Sequence, residues 1–120
     1  MKHSPEFLHL VNEVKDSVNE VSVEEAQQQQ HHGALLIDVR EDNEWEAGHA
    51  TNAIHLGRGI IERDIIEKIP DKNTELILYC GGGFRSILSA YNLQKMGYTK
   101  VYSMAGGWRS WKDAGAPVEQ

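Results

Sequence analysis

Two short apolar runs constrain the fold of this chain more than any other feature: Leu35-Leu36-Ile37-Asp38-Val39 within Ala34 to Val39, and Leu76-Ile77-Leu78-Tyr79-Cys80 within Glu75 to Cys80. Their length and near-continuous apolar character suit strands buried on both faces of a parallel sheet. Ala53 to Leu56 and Val101 to Met104 are weaker versions of the same signal. Helical spacing lies between them. Ile61, Ile65 and Ile69 mark one helix that ends before Pro70, and Ile87, Ala90, Leu93 and Met96 mark another, closed by Gly97 as a left-handed cap. Strands and helices alternating in this way imply crossover units. The expected fold class is therefore α/β, with a central, mostly parallel sheet and helices on both faces.

An N-terminal helix precedes this pattern. Ser4-Pro5-Glu6 supplies a cap and a proline in the first turn, where a missing N–H costs nothing. The spacing predicts a helix to about Asn19, with an apolar stripe at Phe7, Val11, Val14, Val18 and Val21 that must be buried. The chain thus divides into a helical extension, residues 1–21, packed on or next to a domain spanning 22–120. Ser22-Val23-Glu24-Glu25 matches a capping box that starts a second helix, ending near Gly33. The tract Gln27 to Gln30 with His31 and His32 reads as its solvated face, because adjacent helical residues diverge by about 100° and cannot easily share an ion. Trp108 and Trp111, three apart, read as buried anchors on a short terminal helix that stops near Gly115.

Charge and cysteine usage narrow the function classes. Twelve basic against 18 acidic residues give a formal charge of −6, which excludes a nucleic-acid-wrapping surface. The balance is uneven: residues 1–79 hold 7 basic and 16 acidic side chains, whereas residues 80–120 hold 5 and 2, so the C-terminal third is the part suited to face an anion. No run approaches the roughly 18 apolar residues of a membrane span, and residues 1–20 lack the apolar core of a signal peptide. A cytoplasmic location is expected. Cys80 is the sole cysteine, which excludes an internal disulfide and a multi-cysteine zinc site and suits a reducing compartment. His3 and His55 have no partner at metal-ligand spacing, so neither a metal nor a cofactor is implied.

What remains is one reactive thiol. The segment Cys80-Gly81-Gly82-Gly83-Phe84-Arg85-Ser86 sets the cysteine at a strand end, before a glycine-rich turn into a helix. Open α/β sheets bind ligands at such places. Glycines let the backbone curl so that several N–H groups converge on one centre, and the helix start near Arg85 adds its positive end. Such a cradle favours thiolate over thiol, and the thiolate is the nucleophile. Arg85 either supplies a cation for an anionic group or ties the loop to a carboxylate such as Asp38 or Glu44; its donors suffice for both.

In these residues and in the motifs around them the sequence resembles the rhodanese-like domains, the sulfurtransferase family, from about Ser22 to Glu119. The motifs run in the family's order: Leu36-Ile37-Asp38-Val39-Arg40-Glu41, Glu44-Trp45 with Gly48-His49, the Cys80 to Ser86 loop, Met104-Ala105-Gly106-Gly107-Trp108 with Trp111, and Ala114-Gly115-Ala116-Pro117-Val118. The resemblance implies that Cys80 accepts a sulfane sulfur as a persulfide and passes it to cyanide or a thiol. It further implies that the backbone N–H groups of Gly81, Gly82, Gly83, Phe84, Arg85 and Ser86 hold the anion while Arg85 closes the cradle. Asp38, Arg40 and His49 would form a supporting network beneath the loop, with Glu44 a possible partner of Arg85. The implied partners are a small anionic sulfur donor, such as thiosulfate or a polysulfide, and a thiol or protein acceptor. From Cys80 to Arg85 the loop has six residues, the sulfurtransferase length, whereas the family's phosphatases and arsenate reductases carry one more. Two other readings stand beside the enzyme: a sulfur-relay or regulatory module that docks a partner through the apolar N-terminal helix, and a peroxide-sensing thiol that needs an outside thiol to resolve it.

Overall fold

The computed structural model describes residues 3–120. In chain order the elements are α1 (Pro5–Lys15), β1 (Asn19–Val21), α2 (Val23–His31), β2 (Leu35–Asp38), α3 (Asp42–Ala47), β3 (His49–Ala50), β4 (Ile54–His55), α4 (Ile61–Lys68), β5 (Leu76–Tyr79), α5 (Arg85–Lys95), β6 (Val101–Met104), α6 (Gly107–Asp113) and β7 (Val118–Glu119). Five strands pair in the order β1-β6-β5-β2-β4, every neighbour parallel. The α/β class read from the sequence holds, and both apolar runs form the centre of the sheet.

Alternation along the strands feeds two cores. Ile37, Val39, Leu76, Leu78 and Cys80 face the layer that holds Val11 of α1, Ile61 and Ile65 of α4, and Ile87, Ala90 and Leu93 of α5. Leu36, Ile77 and Tyr79 face the other layer, with Val23 and Ala26 of α2 and Trp111 of α6. Because side chains switch faces at every residue, the register of β5 alone assigns Cys80 to the α5 side.

The capping box forms as expected: Glu25 N–H donates to Ser22 Oγ at 3.1 Å and Ser22 N–H to Glu25 Oε1 at 2.9 Å. Ser4 likewise caps α1, accepting from Phe7 N–H at 3.1 Å. The sequence extended that first helix too far. It ends at Lys15, and Asn19–Val21 becomes an edge strand paired with Tyr102–Met104. The stripe therefore mixes two elements: Val11 is buried from a helix and Val21 from a strand, and both satisfy the same apolar spacing. Two features had no sequence signal, the single-turn-and-a-half α3 and the small antiparallel sheet of β3 with β7. Strands of two residues are too short to show a period.

The chain leaves β2 toward β4 on one side and leaves β5 toward β6 on the other. A crevice opens where such connections diverge, at the carboxyl ends of the two central strands. Cys80 follows β5 at that point. Among the described residues no helix is long and apolar enough to cross a membrane.

Candidate active site

Cys80 is 1% exposed, and its sulfur lies under the turn that follows it. Two backbone donors converge on Sγ, Gly83 N–H at 3.1 Å and Ser86 N–H at 3.4 Å. Ser86 belongs to the first turn of α5, so the positive end of an 11-residue helix is turned toward the sulfur. Ser86 Oγ lies 3.5 Å from Sγ and 2.8 Å from Ser103 Oγ, giving a buried chain of polar atoms below the thiol. The N–H groups of Gly82, Phe84 and Arg85, in the same turn, have no acceptor among the described residues.

The three glycines are not equivalent. Only Gly83 takes a left-handed conformation, φ 97°, with Gly106 N so near that a side chain would crowd it. Gly81 and Gly82 have ordinary backbone angles, and a Cβ there would meet neighbours no closer than 3.4 Å. The turn depends on the third glycine.

The loop is clamped from α6. Trp108 N–H donates to the Cys80 carbonyl at 2.7 Å and Arg109 N–H to the Gly81 carbonyl at 3.2 Å. This approach requires Gly107, whose φ is 52° and whose Cβ, if present, would run into the Cys80 carbonyl. Gly107→Ala is expected to lower stability by about 1–3 kcal/mol through the positive φ and the displaced clamp, and to reduce Cys80 reactivity. Thermal unfolding and alkylation of Cys80 check both parts, and unchanged values would show that α6 does not fix the loop.

Of the alternatives for Arg85, Glu44 is the carboxylate it meets. The guanidinium donates through Nη1 and Nη2 to the two carboxylate oxygens at 3.1 and 3.2 Å, and Glu44 also accepts from Glu41 N–H at 3.1 Å. Burial alone would lower the Arg85 pKa and raise that of Glu44. Hydrogen bonding and the attraction of neighbouring charges together outweigh it in each case, so the guanidinium is held above its usual range and the carboxyl below its own.

Asp38 belongs to Arg40 instead. Nε and Nη2 of Arg40 grip its carboxylate at 2.8–3.1 Å, and Nη2 also donates to the Gly48 carbonyl at 2.7 Å. The guanidinium lies 4.7 Å from the Trp108 ring. Arg40 is therefore linked to the active loop through Trp108 rather than by direct contact. His49 is farther still: Nδ1 donates to the Trp45 carbonyl at 3.0 Å, Nε2 lies 3.4 Å from Glu119, and the ring stacks on Trp45 at 3.4 Å. His55 also lies flat against Trp45 and bonds the Arg40 carbonyl at 2.8 Å. These groups steady α3, which carries Glu44. Burial, reinforced by the Asp38 carboxylate, pushes the Tyr79 phenol above its usual range, leaving it a neutral acceptor for Ala50 N–H at 3.1 Å.

Over Cys80 opens a pocket of about 750 Å³. Beyond the loop residues its walls include His3, Phe7, Arg58 and Arg109, none of which the sequence singled out as a site residue. The cradle thus has more positive charge nearby than backbone and Arg85 alone. Ser103 was also missed, although a serine inside a buried strand is a signal that can be read.

A lone thiol gripped by backbone donors, in a glycine turn at the carboxyl edge of a parallel sheet, defines a class of α/β domain built around one cysteine. The model of the Rhodanese-like domain family matches residues 22–114, and the chain belongs to that family. It is 35% identical to "Thiosulfate sulfurtransferase GlpE" of Coxiella burnetii over 78 residues, 65% of this chain and 71% of that protein. Over 102 residues it is 30% identical to "Putative sulfur carrier protein YrkF" of Bacillus subtilis, covering 83% of this chain and 54% of that one. A solved structure from Rhodopseudomonas palustris, of a protein of unknown function described as a possible tyrosine phosphatase, superposes with a TM-score of 0.82 at 24% identity. It covers 99% of this chain and 98% of its own, so the likeness in fold extends over α1 as well.

Proposed function

We propose that this protein is a sulfurtransferase of the thiosulfate sulfurtransferase (rhodanese) type, in which Cys80 carries a sulfane sulfur between a small anionic donor and a thiophilic acceptor. The observation that carries the reading is the pair of N–H donors on Cys80 Sγ at the floor of an open pocket. Such donors favour negative charge on sulfur and cost no reorganisation when the charge moves.

The steps balance without a redox partner. The Cys80 thiolate attacks the outer sulfur of thiosulfate or a polysulfide; a sulfur–sulfur bond forms to Sγ as the donor's own breaks, and the electron pair leaves with sulfite or the shortened polysulfide. The persulfide anion then extends into the pocket lined by Gly82, Phe84 and Arg85, whose N–H groups have no other acceptor among the described residues. Cyanide or a thiolate takes its outer sulfur, and the electron pair returns to Sγ. Two half-reactions through one covalent intermediate give ping-pong kinetics. A reducing, cytoplasmic setting suits a lone thiol of this kind.

Intact mass after thiosulfate or polysulfide, and again after cyanide, tests the cycle. Gain of one sulfur atom that cyanide removes supports it; no gain from either donor overturns it. A relay module with a protein acceptor is the second reading, favoured by the relative named a putative sulfur carrier. It predicts stoichiometric sulfur uptake with slow release to cyanide. The apolar stripe of α1 does not serve it as a docking face, since Phe7, Val11 and Val14 pack into the core. Phosphate ester hydrolysis is expected to stay at background, because the six-residue loop and the Glu44-bound Arg85 favour a sulfur atom over a phosphate.

A further inference from the structure

The pocket has one wall that the sulfur-transfer steps do not use. His3 precedes α1 and Phe7 lies in its first turn; their rings meet each other at 5.1 Å and meet the ring of Phe84, in the active loop, at 4.8 and 6.4 Å. Three rings thus stand beside the nucleophile, and two of them come from residues before the part of the chain that the family model matches. Arg58 and Arg109 also line the space, as do Glu41 and Glu44, the latter bonded to Arg85. The volume, about 750 Å³, lies within the roughly 300–1,000 Å³ of sites that enclose organic ligands. Thiosulfate is a five-atom dianion with no apolar surface. It leaves most of this space empty and gains nothing from the rings.

We propose that His3 and Phe7 are specificity-determining residues, and that the preferred donor is an organic sulfane-sulfur anion, a thiosulfonate or a persulfide, whose apolar body rests on the His3–Phe7–Phe84 wall. This rests on the sulfur-transfer reading above and names its substrate class. The transferring sulfur, which carries the donor's charge, enters the cradle over Cys80, while the sulfonyl oxygens of a thiosulfonate face Arg58 and Arg109. The Cys80 thiolate bonds to the outer sulfur of R–SO2–S⁻ or R–S–S⁻; the bond from that sulfur to the rest of the donor breaks, and the electron pair departs as R–SO2⁻ or R–S⁻. An aromatic body gains edge or offset contacts on the wall that thiosulfate cannot make, so the rings act through discrimination between donors.

Binding of benzenethiosulfonate and of thiosulfate to the full-length Cys80→Ser protein, measured by calorimetry with and without His3→Ala or Phe7→Ala, tests the wall without requiring transfer. The Cys80→Ser protein is expected to prefer benzenethiosulfonate, and each ring deletion to reduce that preference by about three- to tenfold. Equal affinity for the two donors, or a preference unchanged in both ring variants, overturns the proposal. Phe7 also packs into the core, so melting temperatures accompany its variant; His3→Ala leaves the α1 core contacts in place and gives the cleaner reading. The mass of wild-type protein after benzenethiosulfonate separates the two claims. Ring-dependent binding with no sulfur gain supports the wall and sinks sulfur transfer, whereas sulfur gain with ring-independent binding leaves transfer standing and removes the wall.

Discussion

Cys80→Ser is expected to abolish sulfur uptake while leaving the fold in place. The sequence has no second cysteine to substitute for it, and a hydroxyl near neutral pH is a far weaker nucleophile than a thiolate. The loss in turnover should approach the order of 10⁶ that removing a catalytic nucleophile can cost. Serine is the right replacement because its oxygen can accept the N–H groups of Gly83 and Ser86 that Sγ now receives. Alanine would leave those donors unpaired in a site that is 1% exposed, at a cost of about 1–3 kcal/mol for each group left unsatisfied. Intact mass and a thermal melt of both variants separate the chemical loss from the structural one. Sulfur gain in Cys80→Ser would show that another atom carries the sulfur.

The second large effect concerns stability. Arg40→Met is expected to lower the unfolding free energy by about 3–5 kcal/mol, because it strands the Asp38 carboxylate in the interior. Asp38 is fully buried and Arg40 nearly so, and the guanidinium supplies three of the hydrogen bonds that the carboxylate receives. Asp38→Asn with Arg40→Met should recover part of that loss, since removing both charges leaves no unpaired ion. Arg40→Lys should fall between, as an ammonium lacks the planar fork and cannot lie against Trp108 in the same way. Urea unfolding of the four proteins measures this directly. An Arg40→Met protein as stable as the parent would mean that the pair does not hold the carboxyl edge of the sheet.

Much of this architecture is legible in the chain because its causes are local. Ser22 and Glu25 cap α2 through atoms three residues apart. The run from Leu76 to Tyr79 forms a fully buried strand, and its two-residue alternation assigns Cys80 to a face. The cradle was readable for the same reason: cysteine, turn and helix start are contiguous. Where two local readings fit one pattern, the sequence misled. Val18 and Val21 continue a helical stripe, yet Asn19–Val21 pairs with β6, because an edge strand gains a ladder of hydrogen bonds that a fourth helical turn does not offer.

Arg40 reaches Asp38 from two residues along the chain, whereas the choice of Glu44 for Arg85 could not be read from spacing. It depends on where α3 lands after β2, and no periodicity records that. The same is true of Ser103 beneath the thiol and of His3 and Phe7 beside it, residues that join the site only because β6 lies next to β5 and α1 packs on α5. The sequence by itself determined the α/β class, the strand that ends in Cys80 and the turn that holds it, since near neighbours fix backbone sterics. The tertiary structure decided which carboxylate meets Arg85 and what lines the pocket, since those contacts join residues far apart in the chain and exist only once the strand order has closed the loops between them.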